Sequence, residues 1–194
     1  MAQIKKRKTA DTWKKKEWYT IFSSKNFEER EIGTTPATDP ANMINRIIDA
    51  PLRDITGNMG HQFIKIKFRV TEVKGKNAHT EFDGFELVRE YLRRNIRRRR
   101  SMVRVVRTVE TNDHKKLQIT VYAFTAIKSD TSKKDMIRKK MTDVMDKIAK
   151  ENSFESVIQK MVFGTMASDI FREIRTITPI KKVELFKCEL VREK

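Results

Sequence analysis

Four arginines in a row, Arg97–Arg100, set the tightest limit on how this chain folds. An interior does not accept unpaired guanidinium groups, so the run must lie at a surface, where adjacent like charges repel until an anion answers them. Arg93 and Arg94 precede the run, and Arg104 and Arg107 follow it. Residues 89–107 hold nine arginines against Glu90, a net of +8. A guanidinium is planar, meets phosphate oxygens two bonds at a time and stacks on bases, so arginine here points to docking on nucleic acid. The bland alternative is a solvated helix end with no partner, and four consecutive like charges make that costly.

A second basic block opens the chain. Residues 1–16 carry Lys5, Lys6, Arg7, Lys8, Lys14, Lys15 and Lys16 against Asp11, a net of +6. Of the total charge of +17, only +3 is left for the other 159 residues. Ile4 and Trp13 are nearly the only apolar groups of the block, too few to offset the entropy of ordering it alone. A basic extended tail that folds on a partner is expected, with Trp13 and Trp18 stacking on bases or anchoring it. A partnerless terminus or a nuclear-import signal is the competing reading.

Reactive chemistry finds little footing. The single Cys188 excludes an internal disulfide, and His61, His79 and His114 have no zinc spacing, so neither metal nor cofactor is expected. The phosphate loop, the dinucleotide fingerprint and the His-Glu-x-x-His motif are all missing, which argues against an enzyme. Asp143 and Asp146 are expected to moderate nearby lysines by helical ion pairs. No apolar run approaches the ~20 residues of a membrane span and no signal peptide is legible, so the chain is expected in the cytosol, away from membranes.

From Glu17 the pattern turns globular. Trp18–Phe22 reads as a strand, Gly33–Pro40 as a loop, Asp39-Pro40 as the cap of one helical turn, and Arg46–Pro51 as a strand at a sheet edge. Ile64, Ile66, Phe68 and Val70 alternate with Lys65, Lys67, Arg69 and Thr71, the period of a half-buried strand. A turn follows, and residues 80–85 return until Gly84 loosens the pairing. Residues 87–97 have helical spacing, with arginine on the polar face and at the C-terminal end. Residues 102–111 and 117–127 predict a hairpin. Ile137, Met141, Val144, Met145 and Ile148 predict a long helix from Thr131, and further helix over 153–174 broken at Gly164. A closing strand, residues 180–191, slips register between Leu185 and Phe186 as a β-bulge does. This order predicts an α+β fold, an antiparallel or mixed, partly barrel-like sheet with helices packed on one side. One domain is expected over residues 17–194, preceded by the tail of 1–16.

Five stretches in order carry a resemblance: Lys15-Lys-Glu-Trp-Tyr-Thr; Asn45-Arg-Ile-Ile-Asp-Ala-Pro-Leu-Arg-Asp-Ile; Phe68-Arg-Val with Gly75-Lys-Asn, Thr80, Phe82, Gly84 and Leu87; Tyr122-Ala-Phe-Thr; and Ile137-Arg-Lys-Lys-Met. Together they resemble the archaeal and eukaryotic small-subunit ribosomal protein family S-one-e, also called S-three-Ae. Asn45 and Asp49 depart from that pattern, where glycine and glutamate are usual, and Pro51 departs as well. The short end after the closing strand fits an archaeal-type member. What the resemblance implies is a component of the small-subunit platform near the messenger exit. Such a protein is bound to small-subunit ribosomal RNA and neighbouring ribosomal proteins, possesses no reaction of its own and is not an obligate homo-oligomer. It also implies that the tail lysines, Trp13, Trp18 and the arginine cluster are RNA contacts. The rival readings are a free-standing regulatory RNA-binding protein and an RNA-processing enzyme that uses the arginines only to hold substrate.

Overall fold

The computed structural model describes residues 12–192. In chain order they form β1 (Glu17–Phe22), β2 (Glu31–Ala37), β3 (Ile47–Pro51), α1 (Leu52–Thr56), β4 (Ile64–Lys74), β5 (Asn77–Leu87), α2 (Arg89–Arg93), β6 (Met102–Glu110), β7 (Lys116–Thr125), α3 (Thr131–Glu151), α4 (Phe154–Val162), α5 (Thr165–Ile174) and β8 (Ile180–Val191). This is the expected α+β fold with mixed strand pairing, since β1 runs parallel to β5 while β1–β2, β5–β8, β6–β7 and β7–β8 are antiparallel. The described chain divides into two compact units, one of residues 12–48 and 68–81, the other of residues 49–67 and 82–192.

In the first unit the alternation of β1 sends Tyr19 and Ile21 inward, where they meet Ala37, Met43, Val70 and Ala78. Phe27 packs edge-on to Phe68 at 5.7 Å. The region expected as a loop over Gly33–Pro40 is instead strand β2 as far as Ala37, with Pro36 opposite Trp18. A proline fits there because β2 pairs only with β1 and its other edge needs no donor. Pro40–Met43 form the one helical turn expected behind Asp39.

The second unit is built on β6, β7 and β8. Val103, Val105 and Val109 lie on the same face as Leu117, Ile119, Val121 and Ala123, and all are buried. The long helix matches expectation, with Ile137, Met141, Met145 and Ala149 buried four residues apart along one stripe. It packs on β6 and on α5, and α5 packs on β8, so these two helices cover the sheet, with α4 packed against both of them. Gly164, at φ 80, separates α4 from α5 in a left-handed conformation that glycine adopts without strain. In β8 the ladder steps from Leu185 opposite Val121 to Lys187 opposite Thr120, which leaves Phe186 as the extra residue of a bulge, where the sequence predicted the slip. Gly84 does not loosen β5, which continues to Leu87. A Cβ on it would lie 2.3 Å from the Cys188 carbonyl oxygen, so its bare backbone admits β8.

Candidate nucleic-acid interface

The arginine run lies on a loop, not at the end of a long helix. α2 stops at Arg93, and the backbone N–H groups of Asn95 and Ile96 reach back to the carbonyls of Leu92 and Arg93 at 3.0 Å each. Helical spacing through Ile96 is misleading because that side chain is half exposed and has no core to join. Arg99 takes a left-handed φ of 61°, an unusual conformation for a side chain with a Cβ. Beyond it the chain is clasped. Buried Thr125 accepts from the Ser101 N–H at 2.8 Å through its hydroxyl, while its own N–H donates to the Ser101 carbonyl at 2.9 Å. The Ser101 hydroxyl in turn accepts from the Ser129 N–H at 3.1 Å. Arg93, Arg97, Arg98 and Arg99 are exposed and Arg100 half-buried, and none makes an ion pair with a described residue.

Strand parity separates the next two arginines. Arg107 lies on the helix-covered face, where its guanidinium donates to both Asp146 oxygens, at 3.4 Å from Nε and 3.2 Å from Nη2. Asp146 therefore answers a strand arginine and not the helix lysines expected for it. Arg104 lies on the opposite face, three residues earlier, with its guanidinium carbon 6.0 Å from the centre of the Tyr122 ring.

That opposite face is aromatic. Tyr122 meets Phe186 edge-on at 5.4 Å, because the bulge turns Phe186 out of step with its neighbours, and Phe63 stacks on Tyr91 at 4.6 Å. The Arg94 guanidinium lies 5.2 Å from the Tyr91 centroid and 5.7 Å from that of Phe63. Lys182 stands 4.9 Å over Tyr91 from β8 and is tied to the Tyr91 hydroxyl and, at 2.5 Å, to Glu184. Partial burial alone would lower the Lys182 pKa, but hydrogen bonds to Glu184 and Tyr91 and their charges outweigh it, holding the ammonium above its ordinary value. The sequence gives no local sign of this cluster, since Phe63, Tyr91, Tyr122, Lys182 and Phe186 come from separate elements.

The remaining basic candidates belong to the start of the chain. Lys5, Lys6, Arg7, Lys8 and the Lys14 side chain lie outside the described residues. Lys15 and Lys16 are exposed, and the Lys16 ammonium sits 4.2 Å over the Trp13 ring on a short turn before β1. Trp13 is 61% exposed and Trp18, facing outward from β1, is 59% exposed. Phe22 shares the outward side of β1 and stacks on His79 of β5 at 5.9 Å.

Among the described residues no three His, Cys, Asp or Glu side chains are grouped as a metal ion requires, and no helix is long and apolar enough to cross a membrane. His61 contacts the Thr56 hydroxyl at 3.3 Å and His114 contacts Glu110 at 3.2 Å. Cys188 is wholly buried. What the second unit does offer is a loop of mostly exposed arginines for phosphate oxygens, and two guanidinium planes backed by aromatic rings.

A family model described as the Ribosomal S3Ae family matches residues 4–194. The chain is 37% identical over 193 residues to the small ribosomal subunit protein eS1 of Methanothermobacter thermautotrophicus, covering 100% of this chain and 99% of the relative. It is 36% identical over 192 residues to the protein of the same name from Methanobrevibacter smithii, covering 98% and 100%. For that of Methanocaldococcus jannaschii the identity is 37% over 187 residues, covering 96% and 84%.

Proposed function

Because the chain belongs to the Ribosomal S3Ae family, we propose that it serves translation as a structural constituent of the small ribosomal subunit, in the cytoplasmic ribosome of an archaeal-type cell. It has no reaction of its own. Its partners are small-subunit ribosomal RNA and neighbouring ribosomal proteins. The relatives' ribosomal name gives no support to a free-standing regulatory role.

The observation that carries RNA contact is the exposed loop of Arg97–Arg100, which has no carboxylate partner among the described residues and is clasped at Ser101. Arg93, Arg94 and Arg104 extend that contact; Arg107, already answered by Asp146, contributes through charge at the margin. The basic block of residues 1–16 forms a second contact leading into a domain of residues 17–194, with Trp13 and Trp18 stacking on bases. We place the protein on the subunit platform near the messenger exit, not as an obligate homo-oligomer, with messenger RNA as a neighbour; the ordered sequence resemblance supports this placement.

Sedimentation of a cell lysate tests the assignment. The protein is expected to travel with small subunits at moderate salt and to leave them only as salt rises, as phosphate contacts require. A protein found mostly at the top of the gradient at moderate salt would overturn it.

A further inference from the structure

Resting on the RNA-binding reading above, we propose that Arg94 and Arg104 hold unpaired RNA bases, a task distinct from the phosphate contacts of Arg97–Arg100. Both side chains are exposed, yet each guanidinium is laid against aromatic rings, Arg94 beside Tyr91 and Phe63 and Arg104 over Tyr122. Neither makes an ion pair with a described residue. A guanidinium fixed on one side by a ring offers a planar surface on the other, and a base is the planar partner that fits it.

The surroundings favour bases over phosphates. Met102 and Val106 flank Arg104 two residues away on the same face of β6 and are 44% and 45% exposed, and Ile96 beside Arg94 is 50% exposed. Apolar neighbours gain nothing from a phosphate but cover the face of a base. β6 ends its ladder, pairing only with β7, so this row stands at an open margin. In an A-form duplex the base faces are covered by stacking and the grooves withhold them from side chains, so these two arginines select loops, bulges and strand ends.

The test exploits the difference between a plane and a point charge. Binding of the full chain to a short unstructured RNA strand, and to the blunt duplex formed with its complement, is read by fluorescence anisotropy at one fixed salt concentration. Lysine keeps the charge and loses the plane, so the Arg94→Lys, Arg104→Lys double variant is expected to lose about tenfold affinity for the single strand, as the loss of a base stack implies, and to bind the duplex as before. An Arg172→Lys control, at an exposed arginine of α5 outside the proposed contact, keeps both affinities. Equal losses on both RNAs, or no loss on either, would overturn the base-holding role while leaving RNA binding intact. A wild-type chain that bound neither RNA would overturn the RNA-binding reading with it. Unfolding midpoints confirm that the variants fold. If the double variant is destabilised, Arg104→Lys alone carries the same comparison, with a single-strand loss of severalfold supporting the role and none overturning it.

Discussion

The α-carbon of Gly84 faces the carbonyl of Cys188 so closely that a methyl group built on it would stand 2.3 Å from the oxygen. The obstacle is backbone, which cannot swing aside as a side chain does. Gly84→Ala is therefore expected to cost about 1–3 kcal/mol as the two strands part. Gly33→Ala, with nothing within 4 Å of the new carbon, is expected to change the urea midpoint little. Equal midpoints for the two variants would remove the close-approach account.

Thr125 holds the end of the arginine loop. Its hydroxyl accepts the Ser101 N–H in a fully buried position, so Thr125→Val keeps the shape and leaves that donor without an acceptor. A loss of about 1–3 kcal/mol is expected in denaturant unfolding. Faster proteolytic cleavage after Arg97–Arg100 is expected with it, since the clasp fixes the loop. Cleavage at the wild-type rate would show that the loop is held by something else.

Arg97–Arg100 are expected to act through charge at a surface. Replacing all four with serine should lower the slope of log affinity against log salt by roughly 0.7–0.9 for each phosphate that the loop no longer neutralises. The unfolding midpoint should not fall, because these side chains support no ion pair with a described residue. A salt slope unchanged from wild type would place the phosphate-binding residues elsewhere.

Cys188 is shielded. Burial pushes its thiol pKa upward and the nearby charge of Glu189 adds to the rise. The folded state thus holds the proton more tightly than the unfolded state does. The resulting stability is complete below the ordinary thiol value of 9.0 and is lost as pH climbs beyond it. Wild type should lose stability faster than Cys188→Ala on raising pH through that range, and a thiol reagent should modify Cys188 only on unfolding. Rapid modification of the native protein at neutral pH would contradict the burial.

The elements legible in the sequence were those whose pattern is local. The alternation from Ile64 to Val70 needs only neighbours two apart, and the stripe through Ile137, Met141 and Met145 only neighbours four apart. β2 was hidden because Gly33 and Pro36 carry turn chemistry, and only an edge position makes the proline harmless. The helix expected through residue 97 shortened because the Thr125 clasp on Ser101 draws the chain toward β6, a contact across 24 residues. The arginine cluster itself was plain in the sequence. Its division was not: Arg104 and Arg107 fall on opposite faces because strand parity depends on where β6 begins, and Asp146 finds Arg107 only through packing.

The extra residue at Phe186, one of two along β8 with Lys181, also dictates how the length of β8 can change. Val183 and Leu185 before it, and Cys188 and Leu190 after it, meet the same face of β7 although their numbers change parity. Removing Phe186 alone would leave Leu185 and Lys187 opposite Val121 and Thr120 as they are now, so the core would keep its register while Tyr122 lost its edge-on ring. Removing Val183 would instead set Lys182 or Glu184 opposite Ala123, on the buried face. β8 thus carries a spare letter that its interior could do without, and the demand for it comes from the aromatic face.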